Sequence, residues 1–177
     1  LHDMSLTGAT VEGNFIAESM EVSGETICDE TRFNGDTCLR DVSFNDTASF
    51  RGAEFKGEAN LLDDDVCFKN ATFNADAKFK KARFRYADFC EAKFVGEADF
   101  AESRFSSDAE FIQAEFRSRA TFSGAEFRGG DNVISDAADF EHTVFYKQAL
   151  FNSVIFSHAD FHDAQFNEQA NFEETKF

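Results

Sequence analysis

The sequence predicts an all-β solenoid with a phenylalanine core, and three observations carry that prediction. Of the 25 phenylalanines in the 177-residue chain, 24 fall on one ladder with steps of five or six residues. Two residues before each of those 24 rungs stands a small side chain, alanine in 17 cases and Ser, Thr or Val in the other seven. Proline is absent, as expected of a chain whose layers are joined by backbone hydrogen bonds to which proline cannot donate.

The local pattern explains why this ladder is neither a helix nor an ordinary strand. A helical face repeats every 3.6 residues, so steps of five and six drift around a helix without making a stripe. A strand alternates with period two, and here alternation lasts only three residues: small residue in, variable residue out, Phe in. Ala87-Asp88-Phe89-Cys90-Glu91 followed by Ala92-Lys93-Phe94 shows the unit. A five-residue unit is too short to fold back on itself. The chain must turn each corner in the same sense and stack on its previous coil.

Taken in order, the N-terminal rungs thread as Leu6, Val11, Ile16, Val22 and Ile27, with Phe15 an alternative to Ile16, so residues 1–32 read as degenerate repeats. Phe33, Leu39, Phe44, Phe50, Phe55 and Leu61 follow. The ladder is then unbroken through Phe68, Phe73, Phe79, Phe84, Phe89, Phe94, Phe100, Phe105, Phe111, Phe116, Phe122 and Phe127. Val133 fills a gap, and Phe140, Phe145, Phe151, Phe156, Phe161, Phe166, Phe172 and Phe177 complete it, giving 32 rungs in this threading.

These residues resemble the pentapeptide-repeat family, whose unit is a small residue, Asp or Asn, Leu or Phe, and two variable polar residues. Ala-Asp-Phe stands at Ala87–Phe89, Ala98–Phe100, Ala138–Phe140 and Ala159–Phe161, and Ala-Glu-Phe at Ala53–Phe55, Ala109–Phe111, Ala114–Phe116 and Ala125–Phe127. The resemblance implies a right-handed quadrilateral β-helix with four faces per coil, hence about eight coils and a rod roughly 35–40 Å long at ~4.8 Å per coil. Stacking every fourth rung predicts one column of Phe50, Phe73, Phe94, Phe116, Phe140 and Phe161 and another of Phe55, Phe79, Phe100, Phe122, Phe145 and Phe166. In this threading the six-residue steps wander among the corners. Two longer interruptions, 62–65 and 128–132, fall between faces three and four of their coils in this threading and project from the same edge three coils apart. Insertions on one edge of a solenoid often carry binding, which makes Asp64 and Asp131 candidate contact residues.

Composition narrows the function classes. The formal net charge is -17 and the pI about 4.5, which opposes direct binding to nucleic-acid phosphates or to an anionic membrane. Acidic chains are often disordered, but 15% regularly spaced aromatics argue for a packed core here. Cys28, Cys38, Cys67 and Cys90 form no CxxC pair and no Cys/His set with zinc spacing, so scattered thiols are expected rather than disulfides, a metal or another cofactor. No apolar run reaches the ~20 residues of a membrane span. The chain starts at Leu1 without Met. It is therefore expected to be one solenoid domain, 1–177, of a longer protein, placed in the cytoplasm or as the soluble part of a membrane-anchored protein.

The outward residue before many rungs is acidic: Glu54, Asp88, Asp99, Glu110, Glu115, Glu126, Asp139 and Asp160. Such rows either keep the rod soluble or imitate the phosphate rows of DNA. The family resemblance implies the second option, since some members mimic DNA and bind DNA gyrase. Lys78, Arg83, Lys93 and Arg104 interrupt the acidic positions along the chain and favour the first. A basic knot, Lys78, Lys80, Lys81, Arg83 and Arg85, puts Arg83 and Arg104 on one face in adjacent coils, where they would hold an anion or pair with carboxylates such as Asp76 and Glu102. Asp63–Asp65 lacks the pattern of a calcium loop. His158 and His162 lack a third ligand.

No catalytic motif is present. The expected function is a non-enzymatic structural or protein-interaction module with an unidentified protein partner, and a homodimer through a solenoid end. The first alternative is a DNA-mimic inhibitor or protector acting on a topoisomerase such as DNA gyrase. The second is a ligand site between the two interruptions.

Overall fold

The computed structural model describes residues 1–57, 66–129 and 137–177. Each of its 29 strands is two residues long, and all pairings are parallel. They form four sheets, and successive strands visit faces 1, 2, 3 and 4 before returning to face 1 one coil further on. Face 1 has eight strands, from Met4–Ser5 to Ala170–Asn171. Faces 2, 3 and 4 have seven each: Thr10–Val11 to Ile155–Phe156, Phe15–Ile16 to Ala159–Asp160, and Glu21–Val22 to Gln165–Phe166. A bridge from Ile155 to Lys176 begins an eighth layer on face 2. The predicted quadrilateral β-helix is therefore the fold. Among the described residues no helix is long and apolar enough to cross a membrane.

Two corner types alternate. After faces 1 and 3 the chain closes a tight turn: the Ala82 N–H donates to the Phe79 carbonyl at 2.9 Å, and the Ala92 N–H to that of Phe89 at 3.1 Å. The residue before each donor has positive φ, 62° at Lys81 and 58° at Glu91. That is type II turn geometry. Gly8, Gly52 and Gly124 take this position without strain, whereas a side-chain-bearing residue there costs on the order of 1 kcal/mol. These corners always separate rungs by five residues, as from Phe79 to Phe84 and from Phe89 to Phe94.

The sixth residue enters only at the other two corners. Every described step from face 4 to face 1 has six residues, as in Phe73 to Phe79 and Phe94 to Phe100. The step from face 2 to face 3 has five, as in Phe84 to Phe89, or six, as in Phe105 to Phe111. The expectation that six-residue steps wander is thus corrected.

The difference arises from counting Leu61 and Val133, which lie outside the described residues, as rungs. Strand Glu54–Phe55 lies on face 2 and the next strand, Val66–Cys67, on face 3; the same holds for Glu126–Phe127 and Ala138–Asp139. The described strands on either side of each interruption thus stand on successive faces. The strands flanking both interruptions belong to faces 2 and 3, three coils apart, rather than to the expected faces 3 and 4, and Gly57 (φ 56°) and Gly129 (φ 67°), the last described residue before each gap, are left-handed. Asp63, Asp64, Asp65 and Asp131 lie outside the described residues.

The changed face count shifts the columns. Phe50 stacks on Phe79, not Phe73, at 5.2 Å between centroids, and Phe73 stacks on Phe44 at 4.9 Å. Phe55 lies under Phe84, Phe116 under Phe145 and Phe122 under Phe151, each at 4.9 Å. Within each unbroken stretch the predicted stacking stands: Phe73–Phe94–Phe116, Phe79–Phe100–Phe122, Phe140–Phe161 and Phe145–Phe166. Rings of face 1 meet those of face 3 edge to face, as in Phe100 against Phe111 at 5.5 Å and 90°. Parallel columns and perpendicular cross-contacts both satisfy the ring quadrupoles. Each fully buried Phe contributes about 1.5–3 kcal/mol by burial alone.

The degenerate N-terminal coils also differ from expectation. Phe15 points inward and packs on Phe33 at 5.4 Å, whereas Ile16 is 62% exposed. Thr26 and Cys28 are buried on either side of Ile27, so Cys28 is the rung and Ile27 the outward residue.

Candidate interaction surface

The outward position before each rung is where the protein meets its surroundings, and turn chemistry sorts the residues there. On faces 1 and 3 an aspartate at this position caps the following tight turn. Asp88 Oδ1 accepts the Cys90 N–H at 2.8 Å, and Asp99, Asp139 and Asp160 do the same for Ala101, Glu141 and His162 at 2.9, 2.8 and 2.6 Å. All four Ala-Asp-Phe units therefore lie on faces 1 and 3. Three of the four Ala-Glu-Phe units lie on faces 2 and 4, and the fourth, at Glu110, on face 3.

This sorting separates the predicted contact residues. Asp88, Glu110, Asp139 and Asp160 stand in register on face 3, one above another in successive coils. Asp99 is on face 1 and Glu115 on face 4. The predicted interruptions fall elsewhere: Lys78 on face 1, Arg83 and Arg104 on face 2, Lys93 on face 4. The face 3 row is an unbroken acidic strip. Its first member, Asp88, is buried, and the other three are half-buried.

Glu110 is one methylene too long for the Asp cap. It accepts hydrogen bonds from the Tyr86 hydroxyl and the Cys90 thiol, the latter at 3.4 Å. Burial raises its pKa against those bonds, and the neighbouring carboxylates of Asp88 and Asp139 add to the rise.

The basic knot is matched by carboxylates. Lys80 and Lys81 reach Glu102 at 3.3 and 3.4 Å, Lys78 reaches Asp76 at 4.0 Å, and Glu102 is held below its ordinary pKa, chiefly by Lys80. Arg83 and Arg104 are indeed adjacent on face 2. Each pairs away from the other, with Glu54 at 3.0 Å and Glu126 at 3.4 Å. Glu115 is bound by Arg117 at 2.8 Å, which leaves face 4 without a free acidic row at that point. His162 lies against Asp163 at 3.5 Å rather than joining His158.

Coil stacking also assembles a group that local spacing hid. Cys38, Cys67 and Asp88 are register neighbours on face 3, and all four cysteines are free thiols. The Cys67 thiol lies 4.0 Å from Asp88 Oδ2, and Cys90 Sγ lies between Asp88 and Glu110 in the next coil. Burial pushes the thiols of Cys28 and Cys38 up to about 12, and raises those of Cys67 and Cys90 as well. The available signal was the outward position recurring every coil, which places residues 67, 88 and 110 in one row.

A four-sided parallel solenoid with an aromatic core and small residues two positions before each rung defines a repeat protein of the pentapeptide type. The family model described as pentapeptide repeats (nine copies) matches residues 61–104, 91–132 and 133–176, and the chain belongs to that family. No curated protein matches the chain. Among solved structures it is similar to a trypsin-treated variant of QnrB1, a plasmid-mediated fluoroquinolone resistance protein, at 17% identity over 99% of this chain and 90% of that one, with a TM-score of 0.41. Full-length QnrB1 gives 13% identity, coverage of 95% and 93%, and a TM-score of 0.40. HetL, a pentapeptide repeat protein involved in heterocyst differentiation regulation in the cyanobacterium Nostoc sp., gives 14% identity, coverage of 99% and 87%, and a TM-score of 0.23.

Proposed function

We propose that the protein is a non-enzymatic interaction rod and that face 3 is its contact surface for a basic protein partner. The observation that carries this reading is the unbroken row Asp88, Glu110, Asp139 and Asp160. The coils hold its carboxylates at ~4.8 Å intervals with little entropy left to lose on binding. The interior supports a passive role, because phenylalanine side chains fill it.

The test separates charge from fold. Glu110→Gln with Asp139→Asn and Asp160→Asn removes three charges while each Asn keeps the oxygen that caps its turn. Affinity capture with the wild type and this variant should yield partners retained by the wild type alone. Retention of the same proteins by the variant refutes face 3 as the contact surface. Asp99→Asn with Glu115→Gln, on faces 1 and 4, is the matched control.

A second reading, a DNA mimic acting on a topoisomerase such as DNA gyrase, is favoured by the absence of Lys93 and Arg104 from the row. One carboxylate per ~4.8 Å approaches the one phosphate per ~3.4 Å of a single DNA strand, though not the two-strand density of a duplex. Gyrase supercoiling inhibited by the wild type and by the control variant, but not by the face 3 variant, supports this reading. No inhibition at high protein excess removes it and leaves the interaction rod.

A further inference from the structure

We propose that Cys90, Asp88 and Glu110, joined by Cys67 from the preceding coil, form a site for a thiophilic divalent cation of the zinc class. The ligating atoms of Asp88, Cys90 and Glu110 lie within 4.8 Å of one another, the one such group among the described residues. Cys90 Sγ is 3.4 Å from Glu110 Oε2, and Cys67 Sγ is 4.0 Å from Asp88 Oδ2. Tetrahedral zinc with bonds of about 2.3 Å to sulfur and 2.0 Å to oxygen holds such atoms about 3.5 Å apart. Small side-chain rotations close the difference, because the coil ladder already fixes the backbone: Cys67 pairs with Asp88, and Asp88 with Glu110.

The electrostatics of the group point the same way. Two carboxylates flank the Cys90 thiol, the Cys67 thiol lies beside Asp88, and the Asp88 side chain is buried. The hydrogen bonds of Asp88 come from the Cys90 N–H at 2.8 Å, from the Cys90 thiol and, weakly, from the Cys67 thiol. The two carboxylates repel one another across the Cys90 thiol. A bound dication reverses that repulsion: each thiol loses its proton to water as its sulfur–metal bond forms. Two thiolates and two carboxylates around a dication leave two negative charges. Arg40 and Lys69 line the same depression as Asp88 and Glu110, together with Asp41 and Glu91, and Arg40 hydrogen-bonds the Cys67 sulfur. Sulfur donors select zinc, cadmium or cobalt over calcium and magnesium, which take oxygen shells.

The experiment titrates the reduced, metal-free full chain with Co2+ and then with Zn2+. One equivalent of Co2+ should produce a thiolate-to-cobalt charge-transfer band, and one equivalent of Zn2+ should displace it. Cys90→Ser should abolish stoichiometric binding. Cys67→Ser should roughly halve the band, since one of two thiolates is lost. The near-isosteric Glu110→Gln, which keeps the fold, should weaken binding at least about 10-fold, the loss that even an outer-shell partner typically causes. Cys28→Ala, in the core of face 1, should leave the band unchanged. Absence of the band in the wild type, or its persistence in Cys90→Ser, overturns the proposal, as does full affinity in Glu110→Gln.

Discussion

Replacing Phe100 by Ala tests the aromatic core at its most enclosed point. Phe100 is fully buried, stacked between Phe79 at 4.8 Å and Phe122 at 5.0 Å with interplanar angles of 8° and 2°. It also meets Phe94, Phe89 and Phe111 edge to face at 5.8, 5.3 and 5.5 Å. Truncating a buried Phe to Ala costs about 3–5 kcal/mol, and well-oriented ring pairs add ~0.5–1.5 kcal/mol each beyond area. The cavity has little room to collapse, because backbone bonds on every side fix the coil spacing. A loss at the upper end, about 4–5 kcal/mol, is expected. Phe177→Ala is the internal comparison. That ring is 75% exposed and stacks on Phe156 alone, at 5.4 Å and 19°, so its loss should stay near or below about 1 kcal/mol. Urea unfolding followed by far-ultraviolet circular dichroism reads both, since the chain has no Trp and only two Tyr. A midpoint shift at constant m reports stability; a fall in m reports coils uncoupled from one another. A cost below about 2 kcal/mol at Phe100, or equal costs at both positions, would refute the stacked-column account of stability.

Three further outcomes follow from the same geometry. Ser103→Ala should stabilise the protein by roughly 1 kcal/mol in urea titrations, because the buried Ser103 hydroxyl has no hydrogen-bond partner among the described residues and Ala fills most equivalent sites; a loss of stability contradicts this. Gly96→Ala should cost about 1–3 kcal/mol, since its Cβ would stand 2.3 Å from the Ala75 backbone, whereas Gly13→Ala, with nothing within 4 Å, should change thermal stability little. Glu110→Gln in the metal-free chain should stabilise at neutral pH. The folded pKa of Glu110 lies above its unfolded value, so the wild type carries a cost at pH above the raised pKa; that cost fades as pH falls through it and is gone below the unfolded value of about 4.3. A stability difference between Gln and Glu that does not vary with pH would contradict this assignment.

Much of this protein was legible in its sequence. The Phe rungs and the alanines two positions before them identify strand pieces, inward faces and family, since five residues leave room for one strand piece and one corner. Adjacency inside an unbroken run was legible too: Arg83 beside Arg104 and Phe79 beneath Phe100 follow from counting four rungs. Counting Leu61 and Val133 as rungs broke that count, because the described strands flanking each interruption stand on successive faces. One face too many in the count displaces every later residue relative to every earlier one, so Phe50 was matched with Phe73 instead of Phe79. Ile16 and Ile27 misled for a related reason, since hydrophobicity alone does not report which way a two-residue strand faces.

The sequence by itself determined the repeating unit, the aromatic interior and the acidic exterior, because each is decided within a few residues of chain. Tertiary structure decided which distant coils share a face. It placed Asp88, Glu110, Asp139 and Asp160 in one row clear of Lys93 and Arg104, and it gathered Cys67, Asp88, Cys90 and Glu110. The physical reason is that a solenoid's neighbours are set by the cumulative number of corners turned, a quantity that every loop between two residues can change and that no local pattern records.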